Sequence, residues 1–235
     1  MADRGIELVE RLRRLVTNLT DNGQPIPGEH ALADHLGSSR PAVREAIVAL
    51  EREGLLRRHH GRGIAVNPIA TDLPFRFDQQ HDFEDVLHTL GYTSRVEVLE
   101  AEWTTIDEAT AERLRSPPGA PAYRTIKRWF ADDDVAMVAI DTVIAPESRT
   151  DVNAADSLFD LVEQLSGDVV DWEVAWPTAE NLSRPHARRF ELNAGRAVLV
   201  LDIIGVGRQG HVRYHARELH RPNLVPAALV RSVRR

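Results

Sequence analysis

Apolar positions recur at helical spacing through the first fifty residues. Over 3–19 they fall at Ile6, Val9, Leu12, Val16 and Leu19, which predicts an amphipathic helix ended by Asp21-Asn22-Gly23. Over 29–36 the apolar positions are Ala31, Leu32 and Leu36, and from Arg40 onward they are Val43, Ala46, Ile47 and Leu50. Gly37-Ser38-Ser39 separates these two short helices. Glycine tolerates the left-handed backbone that closes a helix, serine caps the next one, and Pro41 sits in a first turn where no backbone donor is lost. Arg40 and Arg44 are four apart and share a face away from the apolar stripe. Gly54 ends the helix, and Leu55-Leu56 and Ile64-Ala65-Val66 read as two short strands around the basic turn Arg57-Arg58-His59-His60-Gly61-Arg62-Gly63.

The pattern then changes. Residues 67–80 carry two prolines and no periodicity and read as a linker. Beyond it, helical segments are predicted over 82–90, 106–114, 157–165 and 179–190. Extended segments are predicted over 95–104, 122–131, 135–144, 169–175, 197–206 and 212–220. Strands returning through tight turns, with helices interspersed, predict an α+β fold with an antiparallel sheet and not a doubly wound parallel one. Three units follow: 1–66, a linker over 67–80, and 81–235.

A helix, a short turn, a second helix opening on arginines and a basic hairpin form the grammar of a winged helix-turn-helix, which makes double-stranded DNA the first partner to consider. Charge supports this once it is divided. The net charge is −7, but residues 1–66 hold ten arginines against nine carboxylates, and Arg40 to Arg62 holds six arginines against three glutamates. The remainder is acidic, so the basic footprint is small and local. There is no cysteine, hence no disulfide scaffold or thiolate metal site. The charged, amphipathic N-terminus and the lack of any long apolar run lead to the expectation of a cytoplasmic protein without a membrane partner. All basic residues but Lys127 are arginine.

Specific residues strengthen the DNA reading. Pro27-Gly28-Glu29, Ala31-Leu32-Ala33, Leu36-Gly37-Ser38-Ser39-Arg40, Val43-Arg44-Glu45-Ala46, Leu50, Glu53-Gly54-Leu55 and Gly61-Arg62-Gly63 stand at fixed spacing. Over this stretch the chain resembles the DNA-binding head of the GntR family of bacterial transcription regulators. The resemblance implies an operator interface of His30, Ser39, Arg40, Pro41, Arg44, His60, Gly61 and Arg62, with Arg40 and Arg44 in the major groove. His30 stands where the family often carries an arginine, and Pro41 where it carries a small polar residue. The body is similar to the UTRA ligand-sensing domain of the HutC subfamily. The similarity lies in Phe83 with Gly91, Ile126-Lys127-Arg128, Ile144-Ala145-Pro146, Ser157-Leu158-Phe159 and Ala197-Val198-Leu199. It implies a chorismate-lyase-like fold, small-molecule binding and a homodimer. Ile140-Asp141 with Thr142-Val143-Ile144-Ala145 is faintly similar to the phosphonate-regulator (PhnF-like) branch.

The candidate effector residues are Arg128, Asp141, Ser157, Tyr214 and Glu218. Arg128 matches an arginine that holds an anionic group in related sensors, and a guanidinium suits phosphate or carboxylate, with an intramolecular salt bridge as the alternative. Ser157 opens a helix whose free backbone donors suit an anion, with a plain N-cap as the alternative. Asp141 accepts from a hydroxyl or amine. Phe130 and Tyr214 replace an arginine and a glutamate of phosphosugar sensors, which disfavours an amino-sugar phosphate.

Gly205-Val206-Gly207-Arg208-Gln209-Gly210 spells a dinucleotide motif, but a strand follows it where that site needs a helix N-terminus, so it reads as a hairpin turn. His211, His215 and His220 on strand spacing read as surface or pocket groups and not as metal ligands. No nucleophile, base and orienting group share a recognisable spacing, so neither an enzyme nor a cofactor is expected. The whole reads as a ligand-responsive transcription regulator, a repressor released from a palindromic operator by a small anionic metabolite. The rivals are a lyase-like enzyme with an accessory head, or a body that only dimerises.

Overall fold

The structure is a computed structural model that describes residues 2–59, 63–73, 76–78, 82–148 and 151–231, with side chains from residue 7 onward. The chain forms two compact units, one of Met1–Gln80 with Ala227–Arg235, the other of His81–Pro226. Among the described residues, no helix is long and apolar enough to cross a membrane.

The N-terminal unit is built from α1 (Ala2–Asp21), α2 (Glu29–Leu36) and α3 (Arg40–Arg52), followed by the strands β1 (Leu56–His59) and β2 (Gly63–Val66). The periodic apolar residues do what their spacing demands. Leu8, Leu12, Val16, Leu32, Leu36, Val43, Ile47 and Leu50 form one buried core. Gly37 closes α2 at φ 59°, a left-handed conformation that glycine adopts without a Cβ penalty. The Arg11 guanidinium donates to the Leu36 carbonyl at 2.8 Å, satisfying an acceptor that the helix end leaves open. β1 and β2 pair antiparallel from Leu56↔Val66 to His59↔Gly63, so Arg57, Arg58 and His59 lie in the strand and not in the turn.

Two segments depart from the sequence reading. Pro68–Thr71 forms one helical turn, α4, capped by Asn67, with Ala70 buried against the head core. A short turn with a single buried residue leaves no periodicity to detect. The C-terminal residues, which the sequence places in the second unit, group with the first. Ala228 accepts from the Phe77 backbone N–H at 2.8 Å, and Val230 packs against the head core at Gly54.

The second unit is a six-stranded antiparallel sheet in the order β3-β4-β5-β8-β7-β6. Its strands are β3 (Ser94–Thr105), β4 (Pro121–Ala131), β5 (Asp134–Ile144), β6 (Val170–Asn181), β7 (Ala197–Gly207) and β8 (Val212–His220). Its helices are α5 (Phe83–Thr89), α6 (Glu108–Leu114), α7 (Leu158–Ser166) and α8 (Arg184–Arg189). The α+β class and the antiparallel arrangement are as the pattern predicts. One helix is shorter than predicted. Residues 179–181 extend β6, pairing as Ala179↔Leu199 and Asn181↔Ala197, and α8 begins only after the Ser183 cap with Pro185 in its first turn. The glycine-rich segment is the end of β7 and its turn into β8, with the Gly207 N–H donating to the His211 carbonyl at 2.9 Å.

Alternation along the strands gives the sheet two unlike faces. On one, Ile126, Phe130, Val138, Val198, Val200 and Leu219 form an apolar core with Leu182, Ala187 and Phe190. The other face is partly polar, and α7 packs over it through contacts to β5, β6 and β8.

Candidate nucleic-acid interface and effector face

Helix α3 buries Val43, Ala46, Ile47 and Leu50 and exposes Arg40, Pro41 and Arg44 at its start. Ser39 is its N-cap, with Oγ accepting from the Ala42 N–H at 3.3 Å. The hydroxyl proton is left for another acceptor. His30 is exposed on α2, beside Glu29. The wing-tip residues His60, Gly61 and Arg62 lie outside the described residues.

One carboxylate organises this surface. Glu29 Oε2 accepts from Arg44 Nη2 at 2.8 Å and Nε at 3.1 Å, and its Oε1 stands 3.6 Å from Arg58 Nη1. Arg58 is held in turn by Glu51, to its Nε at 2.8 Å and to its backbone N–H at 2.7 Å. Arg44 holds the Glu29 carboxyl below its ordinary range, with Arg58 adding to the effect, so Glu29 is charged at neutral pH. Cations from α3 and β1 therefore converge on the start of α2. The sequence pattern contained Glu29 but gave no sign of this link, because the three residues are far apart in the chain.

On the sheet, strand parity decides which candidate residues meet. The pairs Thr125↔Asp141, Asp141↔Ala216, Ala139↔Glu218 and Val143↔Tyr214 place Asp141, Tyr214 and Glu218 on one face. Arg128 is not with them. It pairs with Glu97 on β3, with Nε and Nη2 at 2.9 and 2.8 Å from Oε2. Nη1 reaches Glu191 at 2.8 Å and the Arg189 carbonyl at 3.1 Å. It also lies over the Phe130 ring, 4.9 Å from the centroid. Its donors are committed within the protein, on the face opposite Asp141. One step along a strand reverses the side, so the adjacent Lys127 takes the place expected of Arg128.

Lys127 is one residue of this face that the sequence did not single out as a candidate. It is 2% exposed, and its ammonium donates to the Asp156 carbonyl just before α7. Its signal was visible as the single lysine of an otherwise all-arginine chain. Thr125 donates to Asp141 at 3.2 Å, His220 and Glu218 are 3.0 Å apart, and the Tyr214 hydroxyl donates to Glu173. Burial pushes the Asp141 carboxyl up to about 7, with the Glu218 charge adding and Lys127 and Thr125 opposing. Burial likewise raises Glu173 and Tyr214 and lowers Lys127. Ser157 caps α7, accepting from the Asp160 N–H at 3.1 Å and donating to the Asp160 carboxylate at 2.8 Å. Ring contact between Phe159 and Tyr214 fixes α7 above the cluster.

A separate depression of about 420 Å³ lies at the β7–β8 turn beside Arg115, His211 and Arg213, and holds none of the expected effector residues. His215 is hydrogen-bonded to Asp202 at 3.1 Å, and no metal-binding cluster occurs among the described residues.

Comparison with known proteins agrees with both units. Residues 7–66 match the profile of bacterial regulatory proteins of the gntR family, and residues 89–225 match the UTRA domain. The chain is 37% identical over 134 residues to the HTH-type transcriptional regulator GgaR of Escherichia coli K12, covering 57% of this chain and 53% of that protein. It is 27% identical over 142 residues to the HTH-type transcriptional regulator Rv0792c of Mycobacterium tuberculosis, covering 60% and 50%. The chain thus spans about half the length of the curated relatives it matches. Among solved structures, the possible transcriptional regulator YydK of Bacillus subtilis superposes with a TM-score of 0.76 at 13% identity over 97% of this chain and 99% of that one. PhnF of Mycobacterium smegmatis superposes at 0.60 with 17% identity over 97% and 100%. At such identities the structures show the fold alone. Both of these curated relatives, GgaR and Rv0792c, are HTH-type transcriptional regulators.

Proposed function

The chain belongs to the GntR family of bacterial regulatory proteins and carries a UTRA domain, and from that premise we propose that it is a repressor released from a two-fold operator by a small polar metabolite. DNA binding resides in the head, where Arg40, Arg44 and the Ser39 hydroxyl meet the major groove and His30 lies at its margin. His60, Gly61 and Arg62 enter the minor groove from the wing.

The observation that carries the sensing half is the polar cluster on one sheet face: Lys127, Asp141, Thr125, Glu173, Tyr214 and Glu218. A domain that only dimerises has no need to bury a lysine and a carboxylate beneath a helix, because desolvating them opposes folding. Perturbed titratable groups gathered under one helix are what a ligand-binding face supplies. An anionic group of the effector goes to Lys127 and the first turn of α7 at Ser157, and its hydroxyls or amines to Asp141, Tyr214 and Glu218. The homodimer forms through the sheet edge. β6 is an edge strand and exposes Trp172, Val174 and Trp176 on one side, an apolar patch that a second copy covers.

Operator and effector are linked: whatever factor the effector takes from DNA affinity, DNA takes from effector affinity. The test is a thermal-melting panel of phosphorylated, phosphonate, amino-acid and imidazole metabolites, followed by operator titration with each compound that shifts the melt. The reading expects a stabilising compound that lowers operator affinity, with its effect lost in Glu218→Gln. Stabilising compounds that leave operator affinity unchanged overturn it.

A further inference from the structure

A guanidinium has two edges that make paired hydrogen bonds, Nε with Nη2 and Nη1 with Nη2. In Arg44 the first edge is turned to Glu29, at 3.1 and 2.8 Å. The second edge is not used by Glu29, and Arg44 is 61% exposed at the start of the recognition helix. An arginine held this way presents Nη1 and the outer N–H of Nη2 in a fixed plane, the arrangement that matches O6 and N7 of guanine in the major groove. Glu29 is itself well held. Its side chain is 20% exposed, and Arg58, clamped by Glu51, stands behind its other oxygen.

We propose that Glu29 is a positioning and specificity-determining residue of the DNA-binding surface. It grips one edge of Arg44 so that the other edge reads a guanine. It also sets a negative charge beside the phosphates, which weakens binding wherever no guanine repays it. A free arginine would bind phosphate or any acceptor-bearing base. A buttressed one is committed to a single plane, so discrimination rises while general affinity falls. The proposal rests on the head binding DNA through Arg44.

The full-length protein is used to select duplexes from a randomised pool, and the wild type is compared with Glu29→Gln, Glu29→Asp, Arg44→Ala and the Glu29→Gln/Arg44→Ala pair. Fluorescence anisotropy then reads each protein against the selected duplex, the duplex with the Arg44-dependent guanine replaced, and random duplex. Thermal melting establishes that each variant is folded. Glu29→Gln is expected to bind random duplex more tightly while its preference for that guanine drops about tenfold, the scale of one lost base contact. Glu29→Asp, which keeps the charge but shortens the reach, is expected to lose the preference without the gain on random duplex. In the Arg44→Ala background Glu29→Gln is expected to leave base preference unchanged. The proposal is overturned by an undiminished guanine preference in both Glu29 variants, by an equal loss on every duplex, by an effect that persists without Arg44, or by a selected site with no guanine dependent on Arg44. A wild type that enriches no sequence at all overturns the DNA-binding reading beneath it instead.

Discussion

Replacing Gly205 by alanine should unfold the six-stranded sheet at a markedly lower temperature. Gly205 on β7 pairs directly with Tyr214 on β8, and the tyrosine ring lies across the glycine. A Cβ built there falls 1.9 Å from Tyr214 Cε1 and 2.4 Å from Cδ1 and Cζ. Carbon atoms in contact need about 3.5–4.0 Å, so the ring has to move by roughly 1.5–2 Å. It has little freedom to do so. Tyr214 is fully buried, its hydroxyl is bonded to Glu173, and Phe159 meets its ring from α7. Either the two strands part locally, breaking ladder bonds, or the ring leaves its site. Overpacking of this kind costs about 1–3 kcal/mol, and displacing a buried aromatic side chain costs about 3 kcal/mol or more. We take about 3 kcal/mol, which for a unit of this size lowers Tm by about 6–12 °C. Calorimetry on the full chain reads the shift. In a Tyr214→Leu background, where no ring obstructs the new methyl group, Gly205→Ala should cost less than about 1 kcal/mol, because the two sites are coupled. A melting temperature for the single variant within about 2 °C of wild type would refute the packing argument.

Three further outcomes are expected. Arg44→Ala should weaken operator binding by about 1–3 kcal/mol, the range for a paired arginine–guanine contact, and an unchanged affinity by anisotropy would remove Arg44 from the interface. Asp141, with a folded-state pKa near 7 against an ordinary 3.8, holds a proton that the unfolded chain has already released between those values. Stability should therefore fall as pH rises from about 4 to about 7, by at most about 1.4 kcal/mol per pH unit for this group. Asp141→Asn should flatten that part of the profile, and urea melts in which both proteins keep the same slope would contradict the assignment. Lys127, Glu218 and Asp156 are the charged groups that set this balance. Val174→Arg, which places a charge between Trp172 and Trp176 on the exposed side of β6, should turn a dimer into a monomer in sedimentation velocity, and an intact dimer would move the interface elsewhere.

The head was almost fully legible because its signals are local. Periodicity, the Gly37 stop, the Ser39 cap and Pro41 in the first turn all act within a few residues of one another. The Arg44–Glu29–Arg58 link was not legible, since it depends on how α2, α3 and β1 pack. The sheet was visible as strands, but the face of each side chain was not. Arg128 and Lys127 are neighbours in sequence, and only the register Thr125↔Asp141 and Lys127↔Ala139 tells which of them accompanies Asp141 and Glu218. The length of β6 was not legible at Ala179–Asn181, because Ala179 and Glu180 favour a helix locally but are held extended by their partners Leu199 and Val198 on β7. Glu173 escaped notice for a related reason: it reaches Tyr214 only through the gap left by Gly205.

The central claim is that a sequence-reading head is governed by a ligand-binding sheet face. Its most direct test is the affinity of the full-length protein for its selected duplex and for a scrambled one at a fixed salt concentration, measured with and without a metabolite that stabilises the protein. The account predicts at least about a thousandfold preference for the selected duplex, reduced by the metabolite in wild type and unaffected by it in Glu218→Gln. Equal affinity for both duplexes, or a preference that the metabolite leaves untouched, would contradict it.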